Sequence, residues 1–189
     1  MALLTDLLST NTTNIASNTT AVANAGGAWN LVAEVTPSSS ATVELTGMDS
    51  TYVTYAIIAS DVLLSSGNNI TFTIKQGGSY DNNNYYAAIS SQYSGSNNIT
   101  GAQWENQVNQ RITENNTPTN SFVMYIYSPS NASGRTAYYV QHTGHNDGSA
   151  YRTQTNGMQN TVGATTAILF DCGNANFSSG SFKLYGIGG

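Results

Sequence analysis

The sequence predicts an all-β protein, an antiparallel jelly-roll-like β-sandwich over residues 28–189, preceded by a short N-terminal coiled-coil helix over residues 1–27. Three observations carry this. Charged residues make up 8% of the chain, against ~25% in an ordinary soluble domain. Asn, Ser, Thr, Gly and Gln fill the difference, and their side chains bond to nearby backbone in ways that oppose long helices. Beyond residue 28 the apolar residues alternate in short runs broken by turn-forming clusters, whereas before it they recur by sevens. The 39% hydrophobic content suffices for one core. With 5 Lys and Arg against 10 Asp and Glu, the chain has no positive field for phosphates or anionic lipid, which excludes nucleic-acid and membrane-surface binding as expectations.

The first segment, Met1 to Ser9, starts apolar, but no Lys or Arg precedes the run and Asp6 interrupts it, so it predicts neither a secretory signal nor membrane insertion. Aligned by sevens, it places Leu8, Ile15 and Val22 at a and Leu4, Asn11 and Asn18 at d, which makes these six the core of a coiled coil. Thr, Ser and Asn are poor helix formers, so such a helix requires association to persist. Asn at a core position costs stability and fixes register and strand number. The adjacent pairs Leu3-Leu4 and Leu7-Leu8 exceed what one seam buries, leaving Leu3 and Leu7 to dock on a partner. Gly26-Gly27 ends the helix. The alternative is a loosely ordered polar arm ahead of the domain.

The pentads Leu8-Ser9-Thr10-Asn11-Thr12 and Ile15-Ala16-Ser17-Asn18-Thr19 resemble the apolar-x-x-Asn-Thr repeat of trimeric adhesin stalks and phage fibres. The resemblance implies a homotrimer in which Asn11 and Asn18 each form a ring of three amides around an axial halide ion, supported by Thr12 and Thr19. No other cofactor is implied.

The strands follow in order. Trp29 to Val35 alternates and stops before Pro37; Val43 and Leu45 share a face; Val53 to Val62 is rich in aromatic and β-branched residues; Ile70 to Ile74 alternates most cleanly. Later strands are expected at Tyr85 to Ile89, Phe122 to Tyr127, Ala137 to His142, Ala164 to Phe170 and Ser181 to Ile187. Between Gln103 and Thr113 the spacing of Trp104, Val108 and Ile112 fits a short helix or an insertion on the sheet edge.

The stretch Gly47-Met48-Asp49-Ser50-Thr51-Tyr52-Val53-Thr54-Tyr55, the closing Ser178 to Ile187 and the opening Trp29-Asn30-Leu31 resemble β-domains of virion structural proteins of tailed bacteriophages. That resemblance implies a non-enzymatic component on the outer surface of a virion. A capsid decoration protein or short head fibre, docked on capsid or another virion protein through its N-terminus, fits the short stalk better than the alternative, a receptor-binding tail-fibre tip that contacts host glycan. Read without the resemblance, Tyr52 and Tyr55 cover a sandwich edge and Phe182 and Leu184 close the last strand.

Candidate chemistry is sparse. His142, His145 and Asp147 are of ligand type, but their spacing converges only if Gly144 makes a turn, and a solvated turn without metal is the expectation. Glu34 and Glu44 fall on early strands where two carboxylates could face each other, although alternation also places both in solvent, and no catalytic residue is expected. Cys172 reads as a buried thiol, and the Asn-x-Ser/Thr sequons follow from composition. Tyr80, Tyr85, Tyr86 and Tyr93, interleaved with Asp81 to Asn84, form the candidate glycan contact, since aromatic faces pack on sugar rings while amides bond the hydroxyls. Sheet packing or a subunit interface are the competing uses of these tyrosines.

Overall fold

A computed structural model describes residues 29–67, 69–80, 85–93, 113–114, 120–146 and 149–188, with side chains described over 29–67, 69–80, 120–144 and 152–188. The heptad segment and residues 103–112 lie outside these. Among the described residues all regular structure is β. The strands are β1 (Trp29–Val35), β2 (Thr42–Thr46), β3 (Thr54–Leu64), β4 (Asn69–Gln76), β5 (Ser79–Tyr80) and β6 (Tyr85–Tyr93). They continue with β7 (Thr113–Glu114), β8 (Asn120–Tyr127), β9 (Arg135–Asn146), β10 (Ser149–Val162), β11 (Thr165–Asp171) and β12 (Phe177–Ile187).

Two antiparallel sheets result. The larger has the order β1-β12-β3-β8-β9-β10-β6, the smaller β2-β11-β4-β5 with β7 beside β4. The pairings are nested: β1 with β12, β2 with β11, β3 with β8 and β4 with β5. The chain is thus doubled back on itself as one long ribbon, and successive pairs along that ribbon fall alternately in the larger and the smaller sheet.

Alternation decides what lies between the sheets. In β2 the buried residues are Val43 and Leu45, in β4 Ile70, Phe72 and Ile74, and these face Ile57, Phe122, Met124, Val140, Phe182 and Leu184 of the larger sheet. Aromatic rings bridge the layers: Phe72 meets Tyr138 at 5.0 Å and 88°, while Phe170 lies 5.4 Å from both Phe122 and Phe182. Each fully buried side chain of this size contributes ~1.5–3 kcal/mol, and well-placed ring pairs add ~0.5–1.5 kcal/mol.

Tyr55 corrects the reading of an edge cover, because it is fully buried in this core. Its hydroxyl accepts from the Asp49 N–H at 2.9 Å and donates to Asp49 Oδ1 at 3.0 Å, tying down the loop before β3. Burial pushes the phenol up to about 12. Tyr52, half-buried, stands edge-on to it at 5.5 Å.

The expected turn at Gly144 is also corrected. Strand β9 runs straight through it, with His142 opposite Phe122 and Thr153, and Gly144 opposite Tyr151. Gly144 is required there by space, since a Cβ would fall 2.3 Å from Asn120 Oδ1 and 2.8 Å from His142 Nε2.

Candidate functional site

The outer face of the larger sheet is where the sequence departs from what water requires. Strand β8 points Phe122, Met124 and Ile126 into the core, which leaves Val123, Tyr125 and Tyr127 on the other side, so both faces of the strand are apolar. A strand with one solvated face ordinarily alternates apolar with polar.

Cross-strand register assembles the neighbours. One row runs Trp29, Ile187, Thr54, Tyr127, Ala137 and Met158, from β1 to β10. The next runs Leu31, Tyr185, Ala56, Tyr125, Tyr139 and Asn156. Trp29 packs 5.6 Å from Tyr185 and 6.2 Å, edge-on, from Tyr125; Tyr125 stacks on Tyr127 at 6.4 Å and on Tyr139 at 6.5 Å. Ala56, flanked by Tyr125 and Tyr185, is fully buried although its strand position faces outward. Trp29, Tyr127 and Met158 remain 42% exposed and Leu31 53%. These four share two adjacent rows, which makes the surface a continuous apolar patch rather than scattered residues.

Charge flanks this patch: Glu34 pairs with Lys183 at 3.3 Å in a third row, and the exposed Arg135 and Arg152 stand on the outward positions of β9 and β10 beyond either side of the two rows. Gln141 and Gln154 continue that row, and Tyr139 donates a 3.4 Å hydrogen bond to Gln141 Oε1. The smaller sheet presents the opposite chemistry to solvent. Thr42, Glu44 and Thr46 are exposed there, Lys75 lies 3.8 Å from Glu44, and the Tyr80 hydroxyl donates to Glu44 Oε1. Burial and that carboxylate hold the Tyr80 phenol well above its ordinary range, and the Lys75 ammonium sits 5.2 Å from the ring centre.

This arrangement disperses the residues singled out from sequence. Glu34 and Glu44 lie on the outer faces of different sheets, each beside a lysine, so they form no carboxylate pair. Tyr80 is on β5 of the smaller sheet, whereas the backbone of Tyr85, Tyr86 and Tyr93 is on β6, the edge strand of the larger one. By backbone register Tyr85 is opposite Gln159, Tyr86 opposite Met158 and Tyr93 opposite Tyr151. His142 is fully buried, 3.3 Å from Asn120 Oδ1, and burial lowers its imidazole to about 4. Among the described residues no three His, Cys, Asp or Glu side chains gather as a metal site, and no helix is long and apolar enough to cross a membrane. Cys172 is buried, its thiol donating to the Ala175 carbonyl at 3.1 Å and raised to about 11 by burial and then by Asp171. Leu3, Leu4, Leu7, Leu8, Asn11, Ile15, Asn18 and Val22 lie outside the described residues.

One groove of about 310 Å³ lies between the Gly77-Gly78 turn and the Val162-Gly163 turn. Gln76 braces its floor, donating through Nε2 to the Gly163 carbonyl at 2.9 Å and lying 3.4 Å from the hydroxyls of Thr136 and Thr165. The amide joins three strands and thereby serves packing.

The aromatic face went unrecognised in the sequence, although a signal for it exists. Phe122 to Tyr127 is apolar at both parities, and Tyr139 and Tyr185 each stand one position out of phase with core residues. No protein-family model matches the chain, and no curated protein matches it.

Proposed function

We propose that this chain is a non-enzymatic structural protein of a virion's outer surface, a homotrimeric capsid decoration protein or short head fibre. Residues 1–27 form the trimeric stalk that docks through Leu3 and Leu7, and residues 28–189 form a jelly-roll head. The nested strand pairing carries the reading. The orders β1-β12-β3-β8 and β2-β11-β4-β5 are those of a doubled ribbon wrapped into two sheets, with β9, β10 and β6 added at one edge. This architecture recurs in viral capsid and lectin domains. The separation of Glu34 from Glu44, each beside a lysine, supports a non-catalytic role.

A second reading, a glycan-binding fibre tip, is favoured by the aromatic face, where Trp29, Tyr125, Tyr127, Tyr139 and Tyr185 adjoin the amides of Gln141 and Gln154. Cryo-electron microscopy of the particle, with gold-labelled antibody against residues 28–189, separates the two. Label in threefold clusters over the capsid supports decoration. Label confined to tail or baseplate supports the fibre tip, and an unlabelled particle refutes both.

A further inference from the structure

We propose that the aromatic outer face of the larger sheet is the surface through which the heads of the trimer pack on one another; the inference rests on the homotrimeric reading above and adds which face of the head is buried. Its composition is that of an interface core: Trp, Tyr, Met and Leu, with Glu34, Lys183, Arg135 and Arg152 at the rim. The smaller sheet's outer face, rich in threonine and carrying Glu44 and Lys75, is an ordinary solvated surface. Of the two broad faces, only the larger sheet's loses unfavourable contact with water by being covered.

The position of the patch identifies its occupant as a second copy of the chain. Its most exposed row starts at Trp29, the first residue of β1, where the heptad segment joins the domain. Tyr127 and Met158 lie in that same row, and Leu31 is in the next. From the last core position, Val22, to Trp29 is a span of seven residues, at most ~25 Å of extended chain. Three copies joined through Leu8, Ile15 and Val22 therefore hold their Trp29 corners within a few nanometres of a common axis. A tether this short supplies a millimolar effective concentration, enough for a modest apolar contact to stay closed. The six strands that carry the row, from β1 to β10, span ~24 Å at ~4.8 Å spacing, comparable with one side of a standard interface.

The test uses the full chain. Sedimentation velocity over a dilution series compares the wild type with Leu31→Glu/Tyr127→Glu and with the control Thr46→Glu on the opposite sheet. The expected result is a trimer for wild type and control, and a double variant with unchanged circular dichroism whose dissociation midpoint moves to at least tenfold higher concentration. A wild-type trimer with a double variant that assembles equally well overturns the inference and leaves the trimeric reading standing. A wild-type monomer at micromolar concentration overturns both. Glycan-array binding that the double variant loses while remaining a trimer assigns the face to sugar and overturns the inference. Photochemical tyrosine coupling in a trimer of mixed ¹⁴N and ¹⁵N chains keeps the test decisive if the double variant fails to fold: an interchain dityrosine at Tyr127, Tyr125 or Tyr185 is expected, and purely intrachain products refute the packing.

Discussion

Acid stability of the head is governed in large part by one buried imidazole. His142 projects from the inner side of β9 between Phe122 and Thr153, fully buried and 3.3 Å from Asn120 Oδ1. Burial lowers it from the ordinary 6.5 to about 4. Since the folded chain resists the proton that the unfolded chain accepts, the stabilisation is fully present above pH 6.5 and is lost as pH falls towards 4. At ~1.36 kcal/mol per pH unit of displacement, the loss is about 3 kcal/mol, a substantial part of the ~5–15 kcal/mol that holds a domain folded. Urea unfolding at a series of pH values measures it: with a slope of ~2 kcal/mol per molar, the midpoint should fall by roughly 1.5 M between pH 7 and pH 4. Asp49, held below its ordinary 3.8 by its bonds from Thr51 and then Tyr55, adds a loss of the same sign that sets in only below about pH 4 and so stays outside this window. His142→Gln, which does not titrate, isolates the imidazole by subtraction. If wild type and His142→Gln lose stability in parallel from pH 7 to pH 4, the burial argument is wrong.

Phe170→Ala should cost about 3–5 kcal/mol by emptying the space between Phe72, Phe122 and Phe182, read as a calorimetric Tm lower by about 10 °C or more. Gly186→Ala should destabilise by ~1–3 kcal/mol, because its Cβ would lie 2.1 Å from Tyr52 Cδ2; a double-mutant cycle with Tyr52→Ala should remove most of that cost, and full additivity would refute the contact. Cys172 should resist Ellman's reagent at pH 8 until denaturant exposes it, and prompt labelling of the native chain would contradict its burial. Asn11→Ile with Asn18→Ile should raise the thermal stability of the assembly while broadening its stoichiometry in native mass spectrometry; an unchanged, strictly trimeric assembly would remove these residues from the core.

Strands with one clean apolar face were legible. Thr42–Thr46 and Asn69–Gln76 announce themselves because Val43 and Leu45, or Ile70, Phe72 and Ile74, recur with period two and meet the opposite sheet. Strand β10, the longest at 14 residues, was not legible. Its inward positions are Thr153, Thr155 and Gln159, all buried, and its outward ones include Gln154 and Asn156, so hydrophobicity never alternates along it. Its place is set by backbone pairing with β9 and β6, which residue type does not encode. The site was illegible for a related reason. Clustering along the chain drew attention to Tyr80, Tyr85 and Tyr86, but the neighbours that matter are one strand spacing apart and distant in sequence, as Trp29, Tyr125 and Tyr185 are.

The nesting of the strand pairs also dictates an order of events during synthesis. Strand β3 is hydrogen-bonded between β12 and β8, and β1 is hydrogen-bonded to β12. At ~5–20 residues per second, a ribosome takes roughly 6–23 s to go from Leu64 to Phe177, and until then Ile57 and Val62 belong to a strand with one edge unfilled. Closure must bring together residues as distant as Trp29 and Ile187, so the last step of folding is also the one with the largest loop to close. A nascent chain of this kind leaves β1 unpaired, and β3 paired only to β8, until β12 is made. Its yield in a cell is therefore governed by how quickly the final strand arrives and by what shields β3 while it waits.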